Sequence, residues 1–404
     1  MRTDAQNCTP MNQPGNPVSF ENTEIAFSSK SNGELRKAYY LFKLIGNPNL
    51  VSFGKWATNV ALGIHFPIGW AIKGNIFRQF CGGETIDECA RATQVLDRFH
   101  IGTILDYSVE GKESEADFDA TKAETLQTIS AAHNNPHIPF CVFKVTGIAR
   151  FALLELINTK GPISNEDASE WQRVRNRVDE ICAMAAETGT PIFIDAEDSW
   201  IQDAIDALAD EMMAKYNRTE VIVYNTIQLY RHDRLQFLKD SHTRAKEAGF
   251  KVGFKLVRGA YMEKERQRAA EKGYRDPIQP DKESCDRDFD LAIRYCVENA
   301  QEIAICCGSH NENSNLLLAR LMDEKGISHS DKRFYFAQLF GMSDHISFNL
   351  AHAGYNVAKY VPYGPIREVI PYLIRRAQEN TSVKGQTGRE LSLILKEMQR
   401  RKLG

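Results

Sequence analysis

VIVYNTIQLYRHDRLQFLKDSHTRAKEAGFKVGFKLVRGAY, residues 221–261, reads as an apolar run, an amphipathic helix and a second apolar run. The runs at 221–230 and 251–261 are β-like, and HDRLQFLKDSHTRAKEAG between them is helical. Near-continuous apolar strands separated by a helix belong to a parallel sheet, because strands covered on both faces have no polar side to show. The unit recurs along the chain. GTILDYSV (102–109), FCVFKVTGI (140–148), PIFIDAED (191–198), IAICCGSHN (303–311), RFYFAQLFGM (333–342) and AKYV (358–361) bring the runs to eight, each followed by helical sequence. Eight such units imply a closed α/β barrel. A doubly wound sheet is disfavoured because no run leads into a G-x-G-x-x-G turn.

Outside the barrel, residues 34–98 read as helical throughout, and residues 1–22, with Pro10, Pro14 and Pro17, as a loose polar tail. The most apolar stretch, ATNVALGIHFPIGWAI (57–72), reads as a buried helix pair; a membrane span needs about 20 apolar residues. The charged segment 262–289, after the fifth run, is expected to be helical and then a Pro-containing loop, serving either as a lid or as a solvated insertion. GRELSLILKEMQRRKLG (388–404) is amphipathic, and suits either packing on the barrel or docking on an anionic membrane surface. The expected division is a tail (1–22), an N-terminal helical region (23–98), the barrel (99–384) and a C-terminal helix (385–404).

With 404 residues, 43% hydrophobic and 25% charged, and a net charge of −3, the chain has no basic excess for nucleic acid. Nine cysteines without a CxxC pair read as reduced, buried thiols, and no metal site is expected. Neither a secretory signal nor a mitochondrial presequence is evident, so the expected location is the bacterial cytoplasm, with the inner face of the membrane as its peripheral extension.

In a barrel of this kind chemistry sits at the C-terminal ends of the strands. The runs end on Asp106 and Glu110, Lys144, Asp195 and Glu197, Gln228, Arg258 to Tyr261, Ser309 to Asn311, and Tyr360. Lys144 within an apolar run must find a counter-charge, and Asp195 on the next run is its expected partner, in either a catalytic or a structural pair. A lone His310 suits a hydrogen bond to a phosphate or carbonyl better than a metal. AKYVPYGPIREVIPYLIRRAQE (358–379) reads as a strand over 358–361, a Pro-Tyr-Gly turn and a helix. Arg375 and Arg376 on that helix offer adjacent planar forks for a small carboxylate, with Glu379 beside them; an exposed Arg-Glu face is the plain alternative.

KLVRGAY (255–261), SHN (309–311), QLFGM (338–342) and YVPYG-x10-RR-x2-E (360–379), together with ILDYSVEG (104–111) and FIDAED (193–198), resemble the proline dehydrogenase family. The likeness runs over about 100–382, and the PIREVI segment (365–370) follows the eukaryotic-type branch, which includes hydroxyproline dehydrogenases. It implies a distorted (βα)8 TIM-type barrel whose last helix lies over the barrel top. It also implies FAD, oxidation of L-proline to Δ1-pyrroline-5-carboxylate by hydride transfer to the flavin, and a membrane quinone as acceptor. The resemblance gives Lys144, Asp195, Arg258 and Tyr360 to the catalytic centre. Arg375 and Arg376 would grip the substrate carboxylate, while Tyr261, Leu339 and Tyr360 pack on the ring. Ala196, Gln228, Tyr261, Met262, Glu263, Ser309 and His310 would line FAD; Met262 stands where some bacterial members have Trp. Glu110 would gate the site and Glu379 steady the arginines. Relatives specific for trans-4-hydroxyproline often have a smaller polar residue at the position of Tyr360, so proline is the expected substrate and hydroxyproline the alternative. A barrel that binds an amino acid without redox chemistry is the reading from a different class.

Overall fold

The computed structural model describes residues 18–46, 76–108, 113–133, 135–382 and 386–403. Eight parallel strands close a barrel in sequence order: β1 (Ile101–Tyr107), β2 (Phe140–Phe143), β3 (Ile192–Ile194), β4 (Val223–Gln228), β5 (Val252–Val257), β6 (Ile303–Gly308), β7 (Phe334–Leu339) and β8 (Val357–Tyr363). Closure comes from β8 pairing with β1 along its whole length, Ile101 opposite Val357 through Tyr107 opposite Tyr363. All eight runs picked out in the sequence are strands. The last strand is longer than the run 358–361, because Pro362 and Tyr363 continue β8. Pro362 lacks an N–H, but its carbonyl still accepts the N–H of Gly82 at 2.9 Å.

Side chains alternate along each strand, so one set points into the barrel. Ile104, Phe140, Val142, Phe193, Tyr224, Cys306 and Tyr360 form that inner core. Phe140 stacks on Phe193 with ring centroids 4.5 Å apart, and the Phe193 ring lies 6.3 Å from Tyr360. Continuing the alternation takes the chain from Phe193 to Asp195, from Val142 to Lys144 and from Tyr224 to Gln228. The apolar floor therefore becomes a polar rim at the C-terminal end. The larger core lies between the strands and their surrounding helices.

A separate apolar cluster joins the described N-terminal helices to the C-terminal ones. Phe27, Leu35, Phe42 and Phe80 from the N-terminal helices pack with Met342, with Val369, Tyr372 and Leu373 of the helix Ile366–Ser382, and with Leu393 and Ile394 of the helix Gln386–Arg400. The last helix thus packs Leu393 and Ile394 against the fold. The N-terminal region is not helical throughout. Its described residues give helices at Thr23–Ala26, Asn32–Ile45, Arg78–Phe80 and Ile86–Asp97, and Gly83 bridges to Tyr363. The stretch 57–72 and the tail to residue 17 lie outside the described residues. The 262–289 segment is a helix over Met262–Lys272, and a second helix starts already at Lys282, capped by the Asp281 side chain.

The eight cysteines among the described residues are free and buried, in accord with reduced thiols.

Candidate active site

The polar rim converges on Asp195. Its Oδ1 takes the ammonium of Lys255, and the Tyr360 hydroxyl donates to the same oxygen at 3.2 Å. Lys255 Nζ also donates to the Tyr360 hydroxyl at 2.8 Å, and it lies 4.7 Å from the centre of the Tyr360 ring and 5.3 Å from that of Phe193. The Lys255 and Asp195 side chains are 7% and 14% exposed, so the pair is largely desolvated. Burial, then the nearby carboxylates of Asp195 and Asp106, hold the Tyr360 phenol protonated well above its ordinary range.

This corrects the sequence reading, which gave Asp195 to Lys144. In barrels, alternate strands contribute to one layer of side chains, so a β3 carboxylate meets a β5 lysine rather than one on neighbouring β2. Lys144, half-buried after β2, instead acts electrostatically on Asp106 and Glu197. Burial raises both carboxyls and Lys144 opposes the rise, leaving Glu197 at about 7. Glu197 accepts the Thr146 N–H at 3.0 Å and the Thr146 hydroxyl. Lys255 was missed although the signal was the same as for Lys144, a lysine inside an apolar run.

Around the rim, Gln228 donates to the Glu197 carbonyl at 3.0 Å, while its buried Oε1 meets no donor among the described residues. A buried acceptor left unmade is costly, so this oxygen marks a place for a donor on a bound molecule. Arg258 is turned toward β6 and the helices beyond. It donates to Asp286 at 2.8 Å, Ser309 at 2.8 Å and Ser314 at 2.9 Å, with its guanidinium 4.3 Å from the Phe289 ring centre. Gly259, at φ +135°, takes the chain past the Tyr230 ring, where an added Cβ would lie 2.4 Å from ring carbon. Tyr261, Met262 and Glu263 follow at the start of the helix Met262–Lys272. Ala196 is half-buried beside Asp195.

At β6, desolvation and the charges of Lys359 and Arg376 lower His310 to about 3, so its ring is neutral. Its Nδ1 lies 2.8 Å from the Ser343 hydroxyl. Leu339, at the end of β7, touches both the inner core and the terminal cluster. Lys359, a second missed lysine, pairs with Asp344 at 3.0 Å and is fully buried. Arg376 is 8% exposed, its guanidinium 5.2 Å from the Tyr372 ring centre, and Arg375 is half-buried beside it. Glu110 and the side chain of Glu379 lie outside the described residues. The structure thus brings Asp195 and Tyr360 into direct contact and sets Lys144, Gln228, His310 and Leu339 around the same barrel end. Arg258 is tied into the neighbouring helices.

A family profile described as proline dehydrogenase matches residues 89–389. The chain is similar to proline dehydrogenase 1, mitochondrial, of Dictyostelium discoideum, at 32% identity over 97% of this chain and 76% of that protein. It is also similar to hydroxyproline dehydrogenase of Xenopus laevis, at 30% identity over 93% of this chain and 88% of that one. Among solved structures, proline utilization A from Bdellovibrio bacteriovorus, inactivated by N-propargylglycine, has a TM-score of 0.70 at 18% identity. That match covers 95% of this chain and 42% of the larger one, and bears on the fold. The expectation of a bacterial cytoplasmic location does not stand, because the relatives include mitochondrial proline dehydrogenases of several eukaryotes, which point away from it.

Proposed function

The chain belongs to the proline dehydrogenase family, and on that premise we propose that it oxidises L-proline to Δ1-pyrroline-5-carboxylate on FAD and passes the electrons to a quinone. Family membership makes it an oxidoreductase of proline metabolism; the cofactor, the acceptor and the residue roles are the proposal. FAD would supply the hydride acceptor. Gln228, Arg258, Ser309 and His310 are the groups that would hold it, and the unsatisfied buried Oε1 of Gln228 supports that fit.

The rest of the work is positioning. Arg375 and Arg376 grip the substrate carboxylate. Their charge, with that of Lys144, lowers the pKa of the substrate amine and favours the neutral form that can be oxidised. No general base is assigned. The observation that carries the reading is the hydroxyl of Tyr360, held between Lys255 and Asp195. So fixed, the ring is a wall held from two sides, and in this reading it is the side chain set against the ring position that would carry a 4-hydroxyl. That favours proline, while the Xenopus relative keeps trans-4-hydroxyproline as the second reading.

Two measurements test these readings. The purified protein should be yellow, and L-proline should bleach it under anaerobic conditions. A colourless protein with no absorbance gain on adding FAD would return it to a non-redox reading. The ratio of kcat/KM for proline over trans-4-hydroxyproline should exceed one and fall in Tyr360→Ser; a ratio below one in the parent protein assigns hydroxyproline instead.

A further inference from the structure

The turn after β7 is held from three distant parts of the chain. Gln79, from the N-terminal region, donates to the Gly341 carbonyl at 2.8 Å. Lys359, from β8, donates to the Met342 carbonyl. Glu390, 2% exposed on the last helix, accepts the N–H of Ser343. Ser343 is left-handed, at φ 51°, an unusual conformation for a residue with a side chain. Such a residue costs on the order of 1–3 kcal/mol and persists only where its surroundings over-determine it.

The Ser343 hydroxyl meets His310. With the hydroxyl as donor to Nδ1, the neutral ring carries its proton on Nε2. A continuous path therefore runs from the last helix to the strand-end histidine: Glu390 carboxylate, Ser343 N–H, Ser343 hydroxyl, His310 Nδ1. Glu390 itself is faced by His345, with Nδ1 at 4.0 Å, and by the charges of Asp344 and Lys359.

We propose that Glu390 is a positioning residue that, through Ser343, fixes the orientation and tautomer of His310, so that its Nε2–H is presented to the cofactor. This rests on the reading that His310 lines FAD. It gives the C-terminal helix a functional task beyond covering apolar surface.

The test uses the full chain. In FAD-free protein, ¹⁵N shifts of the His310 ring should report the Nε2–H tautomer, and Glu390→Ala should convert it to a mixture. FAD titration of Glu390→Ala should show Kd raised about tenfold, the loss expected for one buried hydrogen bond. Glu390→Gln keeps an oxygen acceptor for the same N–H and should stay within about twofold of the parent on that ground. Ser343→Gly separates positioning from stability. It removes the hydroxyl but relieves the left-handed strain, so FAD affinity should fall while Tm holds or rises. Should Glu390→Ala fail to fold, Glu390→Asp withdraws the acceptor by one methylene and decides instead. Parent-like tautomer and FAD affinity in Glu390→Ala (or in Glu390→Asp, where that variant decides), or in Ser343→Gly, would overturn the proposal. A parent protein that binds no FAD would sink the cofactor reading alone, and the ring shifts would still decide whether Glu390 sets the histidine.

Discussion

Lys255 and Glu197 are two answers to the same problem, a charge carried into a barrel mouth. Lys255 answers by pairing with Asp195. Breaking a buried pair by removing one partner costs about 3–5 kcal/mol, because the other charge stays behind. Lys255→Met should therefore destabilise the fold by roughly 3 kcal/mol, and Lys255→Met with Asp195→Asn should lose less than the sum of the two single changes. Urea unfolding of the four proteins checks this, and additive losses would mean the pair is not coupled. Glu197 answers by holding a proton. Its folded pKa, near 7, lies above its ordinary value of 4.5 despite Lys144 and the Thr146 hydrogen bonds, with Asp198 adding to the rise. In that window the folded state binds more protons than the unfolded state, so stability from this group is full below about pH 4.5 and is lost as pH rises through about 7. Glu197→Gln should remove that slope, measured as the difference in Tm between parent and variant from pH 4.5 to 8. A parallel pair of curves would exclude the effect.

At the scale of elements, the strands were legible because a parallel barrel buries both faces of each, which writes near-continuous apolar runs into the sequence. What such a run cannot say is which inward residues meet. Asp195 looked to the adjacent lysine in sequence order of strands and found one two strands away. The turn after β7 was also invisible, since its constraint comes from Gln79, more than 260 positions earlier in the chain. At Gly341, with φ +75°, an added Cβ would lie 1.9 Å from the Gln79 carbonyl oxygen. Backbone cannot step aside as a flexible side chain can. Gly341→Ala should thus cost about 2–3 kcal/mol or more, combining left-handed strain with a clash. Gly33, in the helix Asn32–Ile45 with nothing within 4 Å of an added Cβ, is the control. Gly33→Ala should be neutral or stabilising by up to about 1 kcal/mol. Equal Tm values for the two variants would contradict the packing of this turn.

For the whole molecule, the decisive feature is that the described N-terminal helices and the helix Gln386–Arg400 pack into one assembly beside the site, which no local pattern in either segment announced. The amphipathic stripe of residues 388–404 showed that an apolar face existed but not what covered it. The contacts between the two segments are of two kinds. Glu21, 58% exposed, pairs with Arg389 and with Lys396, which is 52% exposed. Exposed pairs are worth about 0–1 kcal/mol and weaken with salt. Glu397 is different: its side chain is fully buried, receiving Arg400 at 2.8 Å and Arg401 at 2.6 Å. Arg401 then donates onward to the carbonyls of Phe27 at 2.9 Å and Lys30 at 2.7 Å. Removing the carboxylate leaves Arg401 without its counter-charge at the seam between the N-terminal region and the last helix, while Arg400 keeps Glu24 at 3.2 Å. Glu397→Ala should therefore cost about 2–4 kcal/mol, nearly unchanged in 0.5 M NaCl, while Glu21→Ala should cost less than about 1 kcal/mol and vanish in that salt. Denaturant midpoints at both ionic strengths distinguish them. If the Glu397 effect is as small and as salt-sensitive as that of Glu21, the two segments are held by apolar packing alone, and Glu390 must be kept in place by Leu393 and Ile394 rather than by the charged seam.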